Sequence, residues 1–120
     1  MRGLNKVTLI GNLGKDPEIQ ILQGGISVTK FSLATTESYK DDKGVLHSET
    51  EWHTVILWRN LADLAAKFLK KGSTIYLEGK IKTRSYEDKL GVKKYVTEII
   101  GESFIMLDKK TEDNEISDKL

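Results

Sequence analysis

Residues 51–58, Glu51-Trp52-His53-Thr54-Val55-Ile56-Leu57-Trp58, constrain this chain more than any other stretch. The run has β-branched and aromatic residues, with no Gly or Pro inside it, and reads as a strand. Side chains alternate across a strand, so Trp52, Thr54, Ile56 and Trp58 share one face and His53, Val55 and Leu57 the other. Both tryptophans of the chain thus lie on one side of one strand, about 20 Å apart at ~3.3 Å per residue. If Val55 and Leu57 enter a core, the indoles point away from it. A lone strand would favour the reverse, with the tryptophans inside.

A second strand decides between these readings. Along Ile75–Tyr86, the residues Ile75, Leu77, Gly79, Ile81 and Thr83 form the buried set. Tyr76, Glu78, Lys80, Lys82, Arg84 and Tyr86 form the outward set. Two cations followed by an aromatic ring suit a single nucleic-acid strand, whose bases stack on rings while its phosphates meet Lys or Arg. A solvated strand face explains Lys80 and Lys82 equally well. It explains Tyr86 and the two tryptophans less well.

The 120 residues and 13.5 kDa correspond to one domain with one modest core. No apolar run approaches a membrane span, and the start lacks the apolar segment of a secretory signal, so a cytoplasmic protein is expected. With no cysteine there is neither a disulfide nor a thiolate metal site. The net charge of +1 is a poor mark of a nucleic-acid binder taken whole. Residues 108–120 carry five acids against three bases, net −2, which leaves +3 on residues 1–107.

Taken in order, Asn5–Leu13 is a first strand, and Gly11 inside it signals a bulge or bend. Turn residues follow, and Glu18–Leu22 resumes extended structure. Val28–Thr36 is a second strand, and the polar stretch Tyr39–Ser48 reads as an exposed, mobile loop before the tryptophan strand. Leu61, Leu64, Ala65, Phe68 and Leu69 form the apolar stripe of a helix, with Asn60 as N-cap and Gly72 as the C′ residue. Lys67, Lys70 and Lys71 towards its end need only dipole complementarity and solvation as an explanation. After the Ile75–Tyr86 strand, a hairpin tip at Glu87–Gly91 leads into a fifth strand at Lys93–Ile100, continued by Phe104–Leu107 after a break at Gly101. The tail from Asp108 has little apolar content and reads as disordered. The order β-β-β-α-β-β fits a mainly β fold: a five-stranded, partly open Greek-key barrel of the OB type, with the helix between strands three and four plugging one end. Strands two and three and the nearby loops would then be the binding surface.

The blocks Asn5–Val7, Gly11–Gly14 with Asp16-Pro17, Ala34–Ser38 and Thr50–His53 resemble the signature blocks of bacterial single-stranded DNA-binding proteins. Leu69–Ser73, Glu78–Ile81 and Thr83-Arg84 continue the likeness over roughly residues 3–107. The resemblance implies a homotetramer that coats single-stranded DNA during replication, recombination and repair, in the cytoplasm and associated with the nucleoid. It carries the family's four base-stacking positions onto Tyr39, Trp52, Trp58 and Tyr86. Family members often have tryptophan where this chain has Tyr39 and Tyr86, and smaller rings offer less stacking area. The expected phosphate partners are Lys82, Arg84, Arg59 and Lys6, with Lys71 next. His53 corresponds to a position the family uses in subunit association. The usual acidic tip ending in Pro-Phe, which docks partner proteins, has no counterpart in Glu112–Leu120, which puts recruitment of replication and repair proteins through the tail in doubt.

Three other readings compete. An enzyme such as a nuclease needs clustered carboxylates or an activated nucleophile, and the acids here are scattered over turns and tail. Neither a catalytic residue nor a cofactor is therefore expected, and no metal either, since His47 lies in the polar stretch with no carboxylate spacing to support a site. A replication-restart or RNA-binding relative on the same fold is the closer alternative, because stacking and phosphate contacts do not by themselves separate ribose from deoxyribose. A barrel that binds only proteins is the third, and it predicts no quenching of tryptophan fluorescence by oligo-dT.

Overall fold

The computed structural model describes residues 2–108. Its elements are β1 (Val7–Leu13), β2 (Glu18–Leu22), β3 (Ile26–Lys40), β4 (Leu46–Trp58), α1 (Asn60–Phe68), β5 (Thr74–Glu87) and β6 (Lys93–Met106). The sheet order is β1-β5-β6-β4-β3-β2, and a further β1–β3 pairing closes five of the strands into a barrel. The expected OB-type architecture is therefore present, closed rather than partly open. The short extended stretch at residues 18–22 becomes β2, an outer strand paired with the first part of β3. Beyond Asp108 the expected acidic tail lies outside the described residues.

Closure depends on Gly11. It causes no bulge, since β1 runs in unbroken register with β5 from Val7↔Gly79 to Asn12↔Thr74. What the missing side chain permits is close approach: a Cβ there would run into the Ala34 carbonyl oxygen and lie 3.1 Å from Leu33 Cγ. The bulge sits instead in β6, where Glu78 faces Ser103 and Gly79 faces Gly101, leaving Glu102 extra. Gly101 thus does not interrupt the last strand. Leu33, Val55, Leu57, Ile75 and Leu77 fill the interior, as alternation in β4 and β5 requires.

The buried set of β5 ends earlier than expected. Ile81 keeps its phase, facing the same side as Leu77, but is 48% exposed, and Thr83 is exposed too. The reason is that β5 and β6 outrun the barrel and continue as a two-stranded arm with no core beneath it. β3 and β4 do the same. The expected loop at Tyr39–Ser48 accordingly shrinks to a tip at residues 41–45: β3 and β4 stay paired from Thr36↔Thr50 out to Lys40↔Leu46. Hydroxyl pairs between Thr36 and Thr50 (3.1 Å) and between Ser38 and Ser48 (3.2 Å) face each other across this ribbon. Its polar composition reads as loop because it buries nothing, yet backbone pairing needs no apolar face.

Both arms end in the same tip. Asp41 Oδ1 accepts the Lys43 and Val45 N–H groups at 2.9 Å each, and Asp88 Oδ1 accepts those of Leu90 and Val92 at the same distance. A glycine at positive φ completes each turn, Gly44 and Gly91 at 79°. Only the first tip adds a histidine, with His47 Nε2 2.8 Å from Asp41 Oδ2. That contact, followed by the Val45 and Lys43 N–H groups, holds the Asp41 carboxyl below its ordinary value of 3.8. A depressed folded pKa contributes stability above the unfolded value and loses it as pH falls through the folded one. Acidification below about pH 4 is therefore expected to open this tip, with amide protection at Lys43 and Val45 falling before that of the barrel. Protection at Lys43 and Val45 that persists on acidification as far as that of the barrel would contradict this.

Helix α1 departs from its expected stripe. Ala62, Ala65 and Leu69 are buried, whereas Leu64 and Phe68 are 45% and 51% exposed. The helix lies close against the barrel, with Thr29 Oγ1 donating to Ala62 O at 2.8 Å, and only small side chains fit at that distance. The N-cap is Arg59 at φ 59°, not Asn60, and no side chain caps the helix start. Arg59 N donates to Ser27 O at 2.8 Å, which ties the helix start to β3. Leu69 ends the helix, and Gly72, at φ 90°, serves instead in the turn closed by Ser73 N to Lys70 O.

Candidate nucleic-acid interface

Alternation in β4 places the two indoles outside. Val55 and Leu57 are fully buried, while Trp52 and Trp58 are 61% and 43% exposed. Ile56, between them on the outer face, is nearly covered and forms a groove floor with Val28 and Ile100. The groove exists because β4 and β6 pair, in parallel, at only Val55↔Ile99 and Ile56↔Ile100. Trp58 stands on one wall. Lys80, Lys82 and Arg84, successive outward residues of β5, line the other, around a volume of about 400 Å³. An adjoining groove shares Arg84 and adds Lys30.

Trp52 stands apart from this groove, over the turn after β1. A Cβ on Gly14 would lie 2.7 Å from Trp52 Cη2, and Lys15 and Ser32 complete the surroundings. The Cζ3–Cη2 edge of the indole thus abuts bare backbone. Gly14 is not among the positive-φ residues, so alanine fits its backbone and conflicts only with the indole. Gly14→Ala is expected to turn Trp52 out of place, shifting its fluorescence and losing part of the about 1–3 kcal/mol that a stacked ring is worth, so that binding weakens about threefold to tenfold with an unchanged melting temperature. An unaltered Trp52 spectrum would refute this.

Tyr86 continues the Lys80–Lys82–Arg84 row, half-exposed and opposite Lys94. Tyr39 is different. It pairs with His47, so the register puts it on the opposite face of the β3–β4 ribbon from Trp52, which pairs with Ala34. There it stacks on the His47 ring, centroids 5.2 Å apart and planes 20° apart. His47, passed over in the sequence as part of a polar stretch, is therefore an ordered neighbour of a candidate stacking ring.

The cations divide in the same way. Lys82 and Arg84 line the groove with Trp58, whereas Lys6, Arg59 and Lys71 do not. Lys6 Nζ lies 3.5 Å from Glu78, whose other oxygen accepts the Tyr76 hydroxyl at 2.6 Å. Those two contacts, the tyrosine first, hold Glu78 below its ordinary range, and Tyr76 is raised in turn by Glu78. Arg59 is the helix cap, and the backbone N–H of Lys71 binds Asp16 Oδ1 at 2.8 Å. Sequence reasoning put Lys80 on the outward face but not among the phosphate partners, and missed Lys30. The first shares the β5 alternation with Lys82 and was legible there. The second joins only through its pairing with Ile56. His53 Nε2 lies 3.0 Å from Thr35 Oγ1, half-buried on the side facing away from the indoles.

Among the described residues, no three His, Cys, Asp or Glu side chains are grouped so as to hold a metal, and no helix is long and apolar enough to cross a membrane. Residues 4–107 match the model of the Single-strand binding protein family. The chain belongs to that family. This family member is 49% identical over 118 residues to single-stranded DNA-binding protein 1 of Chlorobaculum tepidum, covering 98% of the chain and 73% of that relative. It is 46% identical over 117 residues to single-stranded DNA-binding protein 1 of Xylella fastidiosa, covering 97% of the chain and 86% of that relative. Its fold is similar to that of a solved Plasmodium falciparum SSB in complex with single-stranded DNA. The TM-score is 0.83 at 39% identity, over 90% of this chain and 98% of that one.

Proposed function

We propose that this family member binds single-stranded DNA without reading its sequence, stacking bases on Trp58, Trp52, Tyr86 and Tyr39 and meeting phosphates with Lys82 and Arg84. Lys80 and Lys30 join them as further phosphate contacts. The observation that carries the reading is the exposed Trp58 across a groove from three cations in a row. Proteins of this class are themselves the standard case of such platforms, so the figure of about 1–3 kcal/mol per stacked base is theirs rather than derived from this chain. The relatives' names and the Plasmodium complex support the same ligand. The activity is binding rather than catalysis, in service of replication, recombination and repair.

The assembly is proposed to be a homotetramer. Along β1, Val7–Gly11 pair with β5 on one side only, β3 taking up just Asn12 and Leu13, which leaves a strand edge of the kind that adds a second copy. Ile10, Tyr76 and Ile105 stand in register across the outer face of β1, β5 and β6, and Ile10 and Ile105 are exposed. They offer that face to a further copy, and His53 is assigned to subunit contact by the resemblance already noted.

Titration of tryptophan fluorescence with oligo-dT, alongside light scattering for mass, tests both parts. Strong quenching is expected, with log affinity falling against log salt by about 0.7 per phosphate contacted. Poly-dT should outcompete poly-U. Absence of quenching would remove the stacking reading, preference for poly-U would make this an RNA-binding member, and a monomeric mass would remove the assembly.

A further inference from the structure

Glu98 is the one charged side chain among the described residues that is buried, at 6% exposure. It sits on β6 opposite Lys82, in the groove that holds Trp58 and Lys80. A carboxylate taken out of water persists only if donors match it. Arg84 does so, with Nε donating to Oε1 at 2.8 Å and Nη2 towards Oε2 at 3.4 Å. The pair is lopsided: the Glu98 side chain is 7% exposed and that of Arg84 54%. Both oxygens engage the Nε–Nη2 edge, so Nη1 and the second Nη2 hydrogen remain available as an end-on fork.

We infer that Glu98 is a positioning residue, which fixes the Arg84 guanidinium across the groove from Trp58 so that this fork meets a strand phosphate already ordered. The inference rests on the groove being the phosphate path. Without the carboxylate, a long side chain next to Lys82 and Lys80 would be driven outwards by like charge and would sample many rotamers. Ordering it would then fall on the binding step. The opposite role has an opposite signature: the pair is neutral overall, and a carboxylate that merely cancelled a cation would weaken binding. The two roles differ in sign, so measurement separates them.

The 120-residue chain is titrated with oligo-dT across a salt series for wild type, Glu98→Asp, Glu98→Gln, Arg84→Ala and the Arg84→Ala/Glu98→Gln double variant. Glu98→Asp keeps the charge but shortens its reach, and is expected to weaken binding by about threefold to tenfold. Glu98→Gln should weaken it similarly and lower the salt slope by up to about 0.7, towards that of Arg84→Ala. In the Arg84→Ala background it should cost nothing more. Tighter binding with a steeper slope in Glu98→Gln would overturn the inference, as would an equal loss with and without Arg84. Should Glu98→Gln fail to fold, Glu98→Asp decides alone: wild-type affinity there overturns it. If Arg84→Ala itself leaves affinity and slope untouched, the groove is not the phosphate path, and that reading fails together with the inference.

Discussion

Trp58→Ala is expected to weaken oligo-dT binding by about tenfold to a hundredfold, from the ~1–3 kcal/mol of one stacked base. No single groove cation should match it. Lys82→Ala removes one screened charge from a row of three, and is expected to lower the salt slope by about 0.7 with a smaller loss of affinity at moderate salt. Trp58 differs because its ring is half-exposed while its base sits on the covered Ile56–Val28 floor. Stacking there is neither screened by salt nor shared with a neighbour. Trp58→Phe should restore most of the loss, since a ring of either kind offers a π-face. Equal affinity of Trp58→Ala and wild type in the same titration would exclude the groove as the binding site.

Gly11→Ala is expected to damage the fold heavily for its size. The added methyl would be driven into the Ala34 carbonyl at the β1–β3 seam, a backbone group that does not yield as the end of a flexible side chain would, with the buried Leu33 side chain next to it. Overpacking of this kind costs about 1–3 kcal/mol, or more where nothing yields. At about 4–8 °C per kcal/mol for a domain near this size, a fall in melting temperature of about 10 °C or more is expected. Gly3→Ala is the control, as nothing lies within 4 Å of a Cβ there. Equal melting temperatures for the two variants would mean that the seam is not closed as described.

The residues that resisted reading share one cause. Ile81 and Thr83 have the phase of core residues, but phase states which side a residue faces, not whether the barrel extends that far. Leu64 and Phe68 belong to a good helical stripe, yet α1 lies so close to Thr29 that its alanines make the contact instead. Tyr39 was recognised as a stacking position by local motif, while its placement across the ribbon from Trp52, against His47, emerged only from the pairing of β3 with β4.

By itself, the sequence determined which residues of β4 and β5 share a face, and hence that two indoles and a row of cations point away from the core. This is a property of extended backbone, with a period of two residues that needs no partner strand. Tertiary structure alone decided where the barrel ends and the arms begin, which cations stand across from Trp58, and that Glu98 is sunk beside Arg84. Those outcomes depend on the β1–β3 seam and on the short β4–β6 pairing, which join segments far apart along the chain and leave no local trace in it.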